Sequence, residues 1–258
     1  MSAVVVFEWS FTPTDYFEVP IEIVRDDYTL TIAQEQAEAR LDSAAYQANP
    51  SIRRTLHDGL NDRFLGVQLL THRAYELSRS TMTRVHPDGR KDFFLEVEPA
   101  RIVIAGHPVD FQVRDKDGNI TADSKRDRIE KKGSLADLVS TYRASDETLA
   151  SLLRSHDAAV RDPNNELVHL YEIRDALSFK FGGDKGARSA LGISSTDWSR
   201  FGLLCNNEPL RQGRHRGKIG AALRDAAESE LAEARRIARA MTEAYLLHLE
   251  ALSRSSRQ

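Results

Sequence analysis

The sequence predicts an α+β protein in which a β-rich N-terminal domain precedes an all-α helical bundle. Three observations predict it. Up to about residue 120 the apolar residues come in short runs rich in β-branched and aromatic side chains, the composition of strands. Beyond that point they recur at helical spacing. An Ala- and Leu-rich stripe from Ile219 to about Leu252 is long enough, at roughly 50 Å, to be the spine of a bundle. The expected division is a β-rich domain over 1–120, a charged linker over 121–133 and a helical domain over 134–258. A chain of 258 residues has room for one large domain or two small ones.

The N-terminal elements follow in order. Val4 to Phe11 reads as a strand ended by Pro13. From Phe17 to Val24, Phe17, Val19, Ile21 and Ile23 share one face, with Glu18 and Glu22 on the other. Tyr28 to Ile32 is a further short strand. The Ala, Gln and Glu content of Ala33 to Ala48 predicts a helix interrupting the sheet. Leu65 to Val85 and Lys91 to Val97 read as two strands joined by Pro87-Asp88-Gly89. Arg101 to Ile104 and Val109 to Val113 follow, and Asp117-Gly118-Asn119 closes a turn. Val5, Phe7, Trp9, Ile21 and Ile23 are the expected core.

In the second half, Ser134 caps a helix to Tyr142, and Asp146 to Val160 continues in that style. Asp162-Pro163-Asn164 breaks the chain before a helix from Glu166 to Phe181, which Gly182-Gly183 ends. Asp184 to Leu191 is a short helix, and Ser194-Ser195-Thr196-Asp197 caps another carrying Trp198, Phe201 and Leu204. Leu170, Trp198, Phe201, Ile237 and Met241 are expected in the core of the bundle.

Composition narrows the function classes. A net charge of −3 excludes a globally basic nucleic-acid binder and leaves a local basic patch open. Cys205 is the single cysteine, which rules out an intrachain disulfide or a cysteine zinc cluster and suits a cytoplasmic setting. Met1 to Glu8 lacks the basic flank of a signal peptide, and no window approaches the roughly 20 apolar residues of a membrane span. No cofactor-binding fingerprint is present.

The chemistry concentrates in Leu203 to Gly217, between two helical patterns. Asn206, Asn207, Gln212, Arg214, Arg216 and Lys218 are candidate binding residues, with Arg211 and His215 as the candidate catalytic pair. Arginines supply charge for a phosphate, and histidine is the residue that changes protonation near neutral pH. Placed at the N-terminus of the long helix, this loop would add backbone amides to the same field. Gly213 and Gly217 would let backbone approach a ligand. The competing reading is a solvated basic loop. His169 and Glu172 share a helix face; they could form a metal pair, but no further ligands accompany them. Glu172 and Asp175 are candidate acidic partners that orient His215, against a purely structural ion-pair role. The hairpin tip Arg84 to Lys91 could touch a nucleic-acid backbone, but a solvated turn is the preferred reading.

The Arg211, Gln212 and His215 arrangement, preceded by Asn206-Asn207 and followed by a long helix, resembles the motif region of HEPN domains (higher eukaryotes and prokaryotes nucleotide-binding). The resemblance covers roughly 135–252, and is strongest to bacterial HEPN-like proteins with a β-rich N-terminal region. It implies a metal-independent endoribonuclease, of the kind associated with toxins and anti-phage defence, working as a homodimer with a composite site. In such chemistry the 2′-hydroxyl attacks the adjacent phosphate, histidine moves a proton and arginine stabilises charge on the phosphate oxygens. Three residues separate Arg211 from His215, one fewer than the family's usual minimum. That spacing keeps two alternatives open: a non-enzymatic RNA- or nucleotide-binding module, and a structural dimerisation protein.

Overall fold

The computed structural model describes residues 3–33, 35–94, 110, 112–114, 120–217 and 222–256. The chain divides into two compact units, 1–67 with 75–134, and 68–74 with 135–258. The first carries the sheet and the second is mostly helical.

Among the described residues of the first unit, seven strands form an antiparallel sheet. They are β1 (Val4–Thr12), β2 (Ile21–Val24), β3 (Thr29–Ile32), β4 (Gln36–Asp42), β5 (Glu76–Leu77), β6 (Thr81–Val85) and β7 (Lys91–Phe94). The order is β2-β3-β4-β1-β6-β7, with β5 on the end of β1. β1 is central because its residues are apolar enough to be covered; Val5, Phe7, Trp9 and Phe11 are all buried. Ile21 and Ile23, expected in the core, are only half-buried on β2 at the edge. The residues before Ile21 form turns and bends, so the strand expected from Phe17 is shorter.

Two further expectations are corrected here. Ala33 to Ala48 is not one helix: β4 occupies 36–42, and only α1 (Ser43–Ala48) is helical. Ala37, Ala39 and Leu41 are buried while Gln36, Arg40 and Asp42 face out, so period-two patterning overrides helix propensity. Asp42 then caps α1, accepting the Ala44 N–H at 2.7 Å. Likewise Leu65 does not begin a strand. Helix α2 (Ile52–Thr71) runs through it, and Ile52, Leu56, Leu60 and Phe64 form a buried stripe at four-residue spacing. Phe64 meets Phe11, Tyr16, Phe17 and Tyr75 at ring separations of 4.9–5.2 Å, an aromatic centre for this unit. The β6–β7 hairpin and its turn are as expected as far as Phe94; residues 95–97 of the strand expected from Lys91 to Val97 lie outside the described residues. Arg101 to Ile104 and the turn at 117–119 lie outside the described residues, as do Val109 and Phe111; β8 (Gln112–Arg114) pairs with β9 (Ile120–Asp123).

Of the stretch expected as a linker, 121–123 complete β9 and the charged remainder is helical. It belongs to α3 (Ser124–Tyr142), so Ser134 is an interior residue and not a cap. Lys132 is buried, and its Nζ donates to Glu18 Oε1 at 2.6 Å; Arg128 donates to the same carboxylate at 2.6 Å. These two cations hold the Glu18 carboxyl down at about 2.

The helical unit contains α4 (Glu147–Arg161), α5 (Glu166–Lys180), α6 (Asp184–Leu191), α7 (Ser195–Gly202) and α8 (Glu228–Ser255). α8 packs on α4, α5, α6 and α7. At 28 residues it spans about 42 Å. The expected core residues Leu170, Trp198, Phe201, Ile237 and Met241 are all buried. The start of α8 differs from expectation. Residues 222–227 are not helical, and Ala227 precedes the first turn.

Candidate functional site

The loop grows out of α7. Its last turn widens into a π-turn over Leu203–Asn207, which buries Leu204 and Cys205. The chain then doubles back: Glu208 N–H donates to Leu203 O at 2.9 Å and Arg214 N–H to Cys205 O at 3.0 Å. Gly213 sits where these segments of backbone meet, and a Cβ there would make tight contacts of 3.3 Å with both Cys205 O and Leu210 O. Its role is close packing of the loop upon itself. Leu210 is fully buried and anchors the loop, and a bridge to Arg224 follows, with Arg211 N–H donating to Arg224 O at 2.9 Å.

Most polar residues of the loop hold it in place. Gln212 Oε1 accepts the Ala226 N–H at 3.0 Å. Arg214 stacks on Tyr171 of α5 and donates to Asp175 Oδ2 at 3.0 Å. Arg216 Nε donates to Gly213 O at 2.9 Å, and its Nη2 donates to Asn165 Oδ1. Asn206 Nδ2 donates to Asn207 Oδ1 at 3.1 Å, while Asn206 Oδ1 is buried with no partner among the described residues. Burial pushes the Cys205 thiol pKa up, so it is held as the neutral thiol.

Arg211 and His215 differ from the rest. The Arg211 side chain is 64% exposed, with Nε 4.0 Å from Asp225. His215 is half-buried. Among the described residues no hydrogen bond or ion pair joins His215 to Arg211, Glu172 or Asp175. Glu172 instead accepts from Ser155 at 2.9 Å, and Asp175 is taken by Arg214. Lys218 lies outside the described residues.

At the helix start a carboxylate of the chain already stands against the backbone. Glu230 Oε2 accepts the Ala227 N–H at 2.8 Å, and Arg224 clamps the same carboxylate through two bonds of 2.7 Å. That pairing lowers the Glu230 carboxyl to about 2. The Ala227 N–H ahead of α8 is therefore taken from within the chain, by the carboxylate that Arg224 holds.

Sequence reasoning missed Tyr171 and Arg174. Arg174 lies between two rings, 5.4 Å from that of Tyr171 and 5.0 Å from that of Trp198, and donates to Asp184 at 2.7 Å. Its guanidinium fills the space that a Cβ at Gly202 would need. The signal was the Tyr171, Arg174, Asp175 spacing, which puts all three on one face of α5.

The other candidates resolve as structural contacts. His169 Nε2 lies 3.3 Å from Asp162, beside the turn before α5. At the hairpin tip His86 Nε2 meets Asp92 at 2.7 Å, and Arg90 lies near both. Among the described residues no three His, Cys, Asp or Glu side chains are grouped to hold a metal ion. No helix among them is long and apolar enough to cross a membrane. Comparison of the chain with protein families, curated proteins and solved structures finds no match.

Proposed function

We propose that the 205–217 loop binds a phosphate of RNA or of a nucleotide through Arg211 and His215, so that the helical unit acts as a binding module. One observation carries this reading. Arg214 and Arg216 are committed to Asp175 and Asn165, which fixes the loop, while Arg211 projects 64% exposed from that fixed frame. A guanidinium on a preorganised loop meets a phosphate without the cost of ordering the backbone.

Metal-independent RNA cleavage of the HEPN type is the second reading. His215 favours it, being an imidazole four positions from Arg211 and able to carry a proton. Attack of the 2′-hydroxyl on phosphorus would break the bond to the 5′-oxygen. It would leave a 2′,3′-cyclic phosphate and a 5′-hydroxyl, with His215 moving the proton and Arg211 stabilising the phosphate oxygens. The resemblance supplies the expected setting, a toxin or anti-phage effector in the cytoplasm, and the expected assembly, a homodimer sharing two such pairs.

The deciding experiment measures binding and cleavage of a mixed-sequence RNA in chelator by wild type, Arg211→Ala and His215→Ala, with light scattering for mass. Binding that falls with Arg211→Ala, without cleavage, supports the module. Cleavage abolished by His215→Ala while binding survives supports the nuclease. RNA binding that neither substitution changes rejects both.

A further inference from the structure

The helical unit carries a groove of about 590 Å³ lined from α4 and α5. Two lining residues of α4 bring opposite charges to it. Glu147 and Arg154 stand seven positions apart, two turns along one face of the helix, and both are exposed. Among the described residues neither side chain has a hydrogen-bond or ion-pair partner. From α5 the groove receives Phe179, whose side chain is 91% exposed. We infer that this groove binds a short peptide with both termini free and an apolar side chain between them.

Charge and length select this class of ligand. A carboxylate at one end calls for a cation and a guanidinium at the other for an anion, which a free peptide supplies as its α-amino and α-carboxyl groups. Seven helical positions rise roughly 10 Å. An extended peptide of about three residues covers the same span. A free amino acid carries both its charges on one carbon and cannot reach the two together.

The rest of the lining suits such a chain. Ala150 and Ala176 bring only small side chains, which leaves the space open. The volume lies within the range of small-ligand sites. Phe179 offers a ring to an apolar side chain, above all an aromatic one. Arg143 also lines the groove and is already engaged within the chain, so Arg154 is the guanidinium assigned to the carboxylate. No residue of the 205–217 loop lines the groove, so its ligand is independent of what that loop binds.

The test is an NMR titration of the full chain at low salt with glycyl-phenylalanyl-glycine, its N-acetylated form, its C-terminal amide and triglycine. Blocking either terminus should weaken binding about fivefold, the size of one exposed ion pair. Glu147→Gln should erase the difference between free and acetylated peptide and keep that between free and amidated peptide. Arg154→Gln should do the reverse. Phe179→Ala should erase the advantage over triglycine without changing the melting temperature, because the ring is exposed. Arg211→Ala should bind the peptide as wild type does. Absence of binding at millimolar concentration, equal affinity for blocked and free peptides, or discrimination between termini that survives both charge substitutions would overturn the inference.

Discussion

Arg214 lies over the ring of Tyr171, its guanidinium carbon 4.4 Å from the ring centroid, and donates to Asp175 one turn along the same helix. The stack and the ion pair act on one planar group, so they fasten the loop to α5 at a defined place. Arg214→Ala should lower the stability of the helical unit by about 1–2 kcal/mol. It should also speed exchange of the Arg214 amide, which bonds to Cys205 O. Arg214→Lys should not restore protection, because an ammonium cannot reproduce the planar fork. Denaturant unfolding and amide exchange check both; unchanged exchange would show that the stack does not hold the loop.

Arg211 and Arg216 should separate in the opposite way to what their shared charge suggests. Arg216 bonds to Gly213 O and Asn165, so Arg216→Ala should cost about 1 kcal/mol of stability as well as affinity. Arg211→Ala should leave unfolding within about 0.5 kcal/mol of wild type. It should weaken RNA binding and lower the slope of log K against log salt by about 1. Salt titrations of RNA binding, with urea midpoints for each variant, read both effects.

The helical half was legible because capping and stripe agree there. Asp146, Ser194 and the Gly182-Gly183 stop each sit at the boundary the sequence marks, and Trp198 and Phe201 point into the core. β4 was not legible by composition: Ala37 and Ala39 are good helix formers recruited to a strand by cross-strand pairing with β1. α2 was hidden for another reason. Its stripe of Ile52, Leu56, Leu60 and Phe64 precedes the Leu65 to Leu70 run, which by itself reads as a buried strand. At the site, the sequence located the loop and its cations. It could not show which cations are bound by their own scaffold, because Tyr171, Asp175 and Asn165 come from more than 35 residues away.

Glu166 is a buried, ion-paired carboxylate of the helical unit. It is 1% exposed, accepts two bonds from Arg235 at 2.6 and 2.8 Å, and lies 3.3 Å from His72. Glu166→Gln keeps the shape and removes the charge, leaving the partly buried Arg235 with the exposed Glu228 alone as its carboxylate partner. The expected loss is about 3 kcal/mol by denaturant unfolding. Arg235→Met combined with Glu166→Gln should recover part of it, and a strictly additive double mutant would show that the pair is not coupled.

Stability should fall on acidification in two separable windows. His156 is 2% exposed, with its ring centroid 5.1 Å from that of His72. Burial, His72 and Arg239 push its pKa down to about 3 against the opposing pull of Glu166. The folded state therefore keeps it neutral while the unfolded chain protonates it near its ordinary value. Its contribution is complete above about pH 6.5 and is lost as pH falls towards 3, on the order of 2–3 kcal/mol by pH 4.5. Glu18, lowered by Arg128 and Lys132 to about 2, contributes fully above its ordinary value and loses its effect only as pH falls from about 4.5 towards 2. Between pH 6.5 and 5 the slope should thus belong largely to His156. His156→Leu should flatten urea midpoints in that range, and Glu18→Gln should leave them unchanged there while reducing the loss below pH 4.5. A slope between pH 6.5 and 5 that survives His156→Leu would place the titrating group elsewhere.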